Sequence, residues 1–185
     1  MSYPREWRSF CRWHRENEMA IPSQLSRFAA RYRLASSFHG VQLTGYPDKT
    51  SQAYATVIQT FLAYTALEQL HTATRSNPKQ HLHERWGTLS HDSAAKLRQS
   101  PNLIWFLHDQ MHHKGLKQNL QNFVEGENDN ALYVATALRH AVSHGFMTVH
   151  PRGTRPQVAI QFCQDISQML LKIADDEFAE IAQAP

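Results

Sequence analysis

Arg139, His140 and His144 lie close together in residues 138–146 and combine a fixed positive charge with two imidazoles. Arginine binds phosphate through a fork of N–H donors, and histidine exchanges a proton near neutral pH. On a helix, at about 100° per residue, the apolar residues form one arc: Ala131, Val134, Ala135, Leu138, Ala141 and Val142. His140 then points away from that arc, with Arg139 and His144 on either side and Tyr133 on the same outer stripe. The pattern predicts a polar face that can hold phosphate and move a proton.

The spacing of Arg139 and His144 bears on how such a face would work. The two residues are five positions apart, which places them about 140° apart around a helix, so they do not touch at ideal geometry. A two-fold interface between copies of the chain would bring two arginines and two histidines into one cleft. We therefore expect a homodimer. An ordinary solvated helix face is the alternative interpretation of the same residues.

The segment from Arg139 to His144 precedes Gly145 and one more long predicted helix. In this setting it resembles the R-x(4–6)-H motif of HEPN domains. The resemblance covers residues 50–183 and is sharp at 138–146. His140 stands where the family most often has asparagine. In HEPN toxins paired with a nucleotidyltransferase antitoxin, a tyrosine two residues after the motif histidine is modified, whereas this chain has Phe146 there.

The resemblance implies a metal-independent endoribonuclease that acts as a dimer and needs no cofactor, in a toxin or defence setting. His144 would act as base or acid on the ribose 2′-hydroxyl, and the products would carry a 2′,3′-cyclic phosphate and a 5′-hydroxyl. Arg139 would hold the phosphate, and His140 would orient it or assist His144. The expected partners are RNA, a second copy of the chain, and an antitoxin or defence-system protein.

Further RNA contacts are expected beside this motif. The loop after Gly145 is basic, and its side chains can grip backbone phosphates. The predicted RNA-binding residues are Tyr133, His150, Arg152 and Arg155. An exposed turn without a ligand is the competing interpretation of that loop.

Two other functions stay open at this point. Histidines four apart on a helix can chelate a metal, and the pairs His140/His144 and His108/His112 have that spacing, although neither encloses a glutamate. The other alternative is a non-catalytic module that binds RNA or protein through Arg139, Arg152 and an N-terminal arginine stripe. That stripe consists of Arg5, Arg8, Arg12 and Arg15.

Composition limits the remaining classes of protein. The chain has 185 residues, 42% of them hydrophobic, and a net charge of +3 that permits a polyanionic partner. Its cysteines, Cys11 and Cys163, form no CxxC, which excludes a disulfide framework, a zinc ribbon and an iron–sulfur site. It lacks a signal peptide and an apolar run of about 18 residues. We therefore expect a cytoplasmic protein. Histidine is abundant, with 12 residues.

Helical periodicity dominates and predicts an all-α, HEPN-like antiparallel bundle. We expect a helical appendage over residues 1–49 and the HEPN-like domain over 50–185. Predicted helices cover residues 4–17, a segment from Ser23, 50–72, 92–99, 102–114, 116–124, 130–143 and 165–182. A short β-hairpin within 146–162 is an added possibility, because Val158, Ile160 and Phe162 alternate.

Overall fold

The computed structural model describes residues 2–75, 77, 79–148, 151 and 154–183. Within that part of the chain every regular element is helical, which confirms the all-α prediction. The helices are α1 Trp7–Glu16, α2 Ser23–Ser36, α3 Asp48–Thr74, α4 Leu82–Trp86, α5 Ala94–Leu97, α6 Pro101–Gln110, α7 Lys114–Glu125, α8 Leu132–Ser143 and α9 Pro156–Gln183, with a 3₁₀ helix at Thr88–Ser93 before α5. None of the helices in the described ranges combines the length and apolar character of a membrane span.

Helix α3 runs through the centre of the bundle. It makes its most extensive contacts with α9 and α2, and it also packs against α8. Leu67 and Leu70 on α3 and Leu170 on α9 are fully buried. The Oγ1 of Thr60 donates to the carbonyl of Cys163 over 2.9 Å, which ties α3 to α9 inside the core. A helix buried on most of its circumference must be apolar almost all round, as the sequence of α3 is.

The N-terminal helices α1 and α2 share this core. Phe10 of α1 and Phe28 of α2 both contact the ring of Phe178 on α9, at centroid distances of 5.5 and 5.4 Å. Four residues of α2 are buried in this core: Leu25, Phe28, Ala29 and Tyr32. The boundary predicted at residue 49 stays a prediction.

Arg5 departs from the expected arginine stripe. Helix α1 begins at Trp7 rather than near Pro4, so Arg5 precedes it. Its Nε donates to Asp175 over 2.5 Å, and its Nη2 pairs with Asp176. Arg5 therefore anchors the N-terminus to α9 and does not extend a basic helix face.

The hairpin considered for residues 146–162 is wrong over the part that the structure describes. Pro156–Phe162 forms the first two turns of α9, which begins nine residues earlier than the sequence predicts. Val158 is 38% exposed, whereas Ile160 and Phe162 are buried together with Ala159, which is a helical arrangement. Short apolar runs suit a strand or a buried helix equally well, and Pro156 fits the first turn of a helix.

Candidate functional site

Helix α8 carries the three residues of the predicted motif. Just before the helix, the Oδ1 of Asn130 accepts a hydrogen bond from the backbone N–H of Leu132, the first residue of α8, over 3.1 Å. The apolar side of α8 is buried against the core: Leu132, Val134, Ala135, Ala137, Leu138 and Ala141. Arg139 and His140 are half-buried, and His144 is exposed. We call Arg139, His140 and His144 the α8 face.

Gly145 ends α8 as the sequence predicts. Its φ of +71° lies in the left-handed region, which glycine adopts without the steric cost of a Cβ. The N–H of Gly145 donates to the carbonyl of Val142 over 3.1 Å, and the N–H of Phe146 donates to that of Ala141 over 2.8 Å. These two bonds form a Schellman motif. This motif makes His144 the C-cap residue of α8. It also turns the chain so that the ring of Phe146 lies beside that of His144.

His140 and His144 form a close imidazole pair. Their ring centroids are 4.3 Å apart at an angle of 50° between planes. His144 also stacks on Phe146, at 5.9 Å and 20°. The pKa of His140 is lowered by burial first, and then by the positive charges of His144, Arg139 and His112. Near neutral pH the His140 ring is therefore neutral and able to accept a proton.

Arg139 turns from the histidine pair toward α3. Its Nη2 lies 3.8 Å from Oε1 of Glu68, and its guanidinium carbon lies 5.9 Å from the centroid of the Tyr64 ring. The Nε of Arg139 is buried and lacks a hydrogen-bond partner. Between these two described side chains, Arg139 and His144, no hydrogen bond or ion pair forms. Within one chain the guanidinium of Arg139 therefore contacts residues of α3 rather than His144.

A cavity of about 600 Å³ is lined in part by Glu68, the residue that contacts Arg139. Its walls come from α2, from the C-terminal half of α3, from residues 79–83, and from Thr136 on α8. We call it the α3 cavity. Its lining residues that can carry a positive charge are Arg31, His71, Arg75, Lys79, His81 and His83. A site rich in cationic groups therefore lies directly beside the α8 face.

Tyr133 lies on the outer side of α8, as predicted, but next to histidines rather than next to Arg139. Its ring centroid is 4.6 Å from that of His83. Burial first, and then the charge of Glu84, raises the pKa of Tyr133. It lines a second cavity of about 480 Å³ that shares His81, His83 and Thr136 with the α3 cavity.

Three residues after Gly145 are predicted to bind RNA, and the structure describes only one of them, Arg155. Arg155 is exposed directly before α9, and its carbonyl accepts the N–H of Val158 over 3.0 Å. His150 and Arg152 lie outside the described residues. No contact joins Arg155 to the α8 face among the residues that the structure describes.

Sequence reasoning missed Glu68, Tyr64 and His71. Glu68 is the one acidic residue and His71 the one histidine in residues 51–74, a segment that is otherwise apolar or neutral. A solitary charge and a solitary imidazole within a predicted core helix are a usable signal, because such groups are seldom buried without a partner. The position of Glu68 and Tyr64 next to Arg139 depends on how α3 and α8 pack.

The metal-binding alternative gains no support from the described residues. They contain no group of three or more His, Cys, Asp or Glu side chains that could hold a metal ion. In the second histidine pair, the Nδ1 of His108 lies 3.0 Å from a carboxylate oxygen of Asp109. His140 and His144 are close but have no third ligand beside them.

No protein-family model, curated protein or solved structure matches this chain. A functional assignment must therefore come from the contacts, burial and charge of its own residues.

Proposed function

We propose that the chain is a metal-independent, HEPN-like endoribonuclease whose active cleft is formed by the α8 faces of two copies. The observation that carries the proposal is the His140–His144 pair, 4.3 Å apart, beside an arginine at the open end of a helix. Two imidazoles and a guanidinium are sufficient for cleavage of RNA by its own 2′-hydroxyl.

The histidine pair supplies both a base and an acid. Two imidazoles this close resist simultaneous protonation, because like charges disfavour each other. The neutral ring of the pair is His140, because burial first and then the charges of His144, Arg139 and His112 lower its pKa. A neutral imidazole of the cleft accepts the proton of the 2′-hydroxyl, and the 2′-oxygen attacks the adjacent phosphorus, with His144 as base or acid and His140 assisting it. The bond from phosphorus to the 5′-oxygen breaks, and a protonated imidazole of the cleft gives that oxygen a proton.

Arg139 stabilises the charge that develops on the phosphate oxygens. Its present partner Glu68 is 3.8 Å away, and the two side chains are 37% and 42% exposed. Such exposed pairs contribute little stability, about 0–1 kcal/mol. An RNA phosphate can therefore displace the carboxylate.

RNA and a second copy of the chain are the partners that this mechanism requires. The toxin or defence setting, an antitoxin or defence-system partner, and the cytoplasmic location stay predictions. So do the RNA contacts of Tyr133, His150, Arg152 and Arg155. A non-catalytic module that binds RNA through the same α8 face is the main alternative.

Cleavage of a mixed-sequence RNA in EDTA tests the proposal. Arg139→Ala and His144→Ala are compared with Arg27→Ala and His39→Ala, which remove the same side chains from exposed positions elsewhere. We expect each α8 variant to lose at least about 100-fold in rate, since a positioned acid or base contributes about 10² to 10⁴. The controls should cleave like the parent chain. Equal cleavage by all variants would reject the site, and RNA binding without cleavage would favour the binding module.

A further inference from the structure

The α3 cavity has an unusual balance of charge. Among the described residues that line it, Arg31, Arg75 and Lys79 are permanently positive, and Glu68 is the one carboxylate. Glu68 is also the residue that faces Arg139. A concave surface with this excess of positive charge focuses a positive potential and attracts anions.

His71 adds a buried polar atom to this cavity. The residue is 5% exposed, and its ring meets that of Trp86 edge-on at 5.6 Å. Its Nε2 is buried and has no hydrogen-bond partner. Most buried polar groups in folded proteins are hydrogen-bonded, and one that is not calls for an explanation such as a ligand. A ligand that reaches His71 would supply the missing partner.

Two further histidines, His81 and His83, also line the α3 cavity. The rings of His81 and His83 stack at 5.2 Å with 5° between planes. The pKa of His71 is lowered by burial first and then by Arg75, Arg85 and His81, while Glu84 acts in the opposite direction. An anion in the cavity would offset this positive charge and favour the protonated, donating form of His71.

We propose that the α3 cavity binds the phosphate group of a nucleotide or of a nucleic-acid strand, with Arg31, Arg75 and Lys79 as its cationic partners and His71 as its buried donor. The site is separate from the α8 face, because none of Arg139, His140 and His144 lines the cavity and Glu68, which does, contacts Arg139. The volume of about 600 Å³ accommodates a mononucleotide. This site does not depend on whether the α8 face cleaves RNA.

Binding to the full chain tests this site by calorimetry with three probes. The probes are inorganic phosphate, adenosine monophosphate and a short single-stranded DNA, which has no 2′-hydroxyl and so cannot be cleaved by the proposed mechanism. Lys79→Gln is compared with Lys49→Gln, which removes the same charge near the start of α3. The cavity begins near Tyr64, so Lys49 is about 20 Å or more away along the helix. Arg31→Gln is compared with Arg27→Gln, one turn earlier on α2.

We expect Lys79→Gln and Arg31→Gln to weaken binding about tenfold each, the usual loss for one charge-assisted hydrogen bond. The two controls should stay within about twofold of the parent. His71→Gln should weaken binding at unchanged helicity, and His39→Gln, which removes an exposed imidazole between α2 and α3, should keep it. A mononucleotide that binds more tightly than inorganic phosphate identifies a free nucleotide as the ligand, and DNA as the better ligand identifies a strand. Absence of saturable binding by all three probes, or equal affinities in the variants and their controls, would overturn the proposal.

Discussion

The Nη2 of Arg139 lies 3.8 Å from Oε1 of Glu68, so the arginine of the α8 face is turned toward α3 and away from His144. Glu68 also lines the α3 cavity, and its carboxylate therefore stands between two groups of positive charge. An anionic ligand that approaches Arg139 must compete with this carboxylate. We therefore expect Glu68 to reduce the affinity of this basic surface for a phosphate.

Neutralising Glu68 should tighten the binding of nucleic acid. We expect Glu68→Gln to raise the affinity for a short single-stranded DNA about two- to fivefold, the effect of removing one partly exposed charge contact. Fluorescence anisotropy at fixed salt measures it. Glu127→Gln, which removes an exposed carboxylate elsewhere, is the matched control. If both variants bind with the same affinity, Glu68 does not compete for Arg139.

Acidification should destabilise the folded chain between pH 7.5 and 5.5. The pKa values of His71, His83 and His140 are each lowered in the folded state, with burial as the largest cause. Below the ordinary histidine pKa of about 6.5, the unfolded chain binds more protons than the folded one. The free energy of unfolding therefore falls as pH drops through that value.

Urea unfolding at pH 7.5 and 5.5 measures this dependence. His140→Gln should reduce the loss of stability between the two pH values, because it removes one of the three groups. His39→Gln, at an exposed position between α2 and α3, serves as the control. The explanation fails if His140→Gln and His39→Gln lose stability equally over this range.

Gly145 should be sensitive to substitution because of its backbone. Its φ is +71°, and no atom lies within 4 Å of the place where a Cβ would stand, so strain rather than crowding sets the penalty. We expect Gly145→Ala to lower the free energy of unfolding by about 1 kcal/mol. Gly145→Asn should cost less, because asparagine tolerates the left-handed region better. Equal stability of all three chains in thermal unfolding would show that the Schellman motif is dispensable.

The helices that position the α8 face could be predicted from the pattern of apolar residues and glycine within single segments of the sequence. The apolar arc predicts helix α8, the glycine after His144 predicts where that helix ends, and the apolar circumference of α3 predicts a buried helix. The hairpin alternative failed because the alternation of Val158, Ile160 and Phe162 is too short to distinguish a strand from a helix.

The surroundings of Arg139 could not be predicted in the same way. Glu68 and Arg139 are 71 residues apart, and their contact exists only because α3 packs against α8. Likewise, His71 and residues 79–83 line the same cavity only because of the path that the chain takes after α3. Such contacts are set by tertiary packing, which periodicity within one segment does not encode.

The composite cleft requires a dimer. Sedimentation velocity at micromolar concentration should give a species of twice the chain mass of 21.3 kDa. The physical reason is the separation of Arg139 from His144 within one chain, which a two-fold axis would compensate. A strict 21.3 kDa species at every concentration, in a preparation that still cleaves RNA, would contradict the composite site.

The ends of the RNA products test the central claim most directly. Cleavage is carried out in EDTA, and the fragments are analysed by mass spectrometry. We expect 2′,3′-cyclic phosphate and 5′-hydroxyl ends from the parent chain and from His39→Ala, and at least about 100-fold less product from His144→Ala. Fragments with 5′-phosphate ends, or equal amounts of cyclic phosphate from His144→Ala and His39→Ala, would contradict the mechanism.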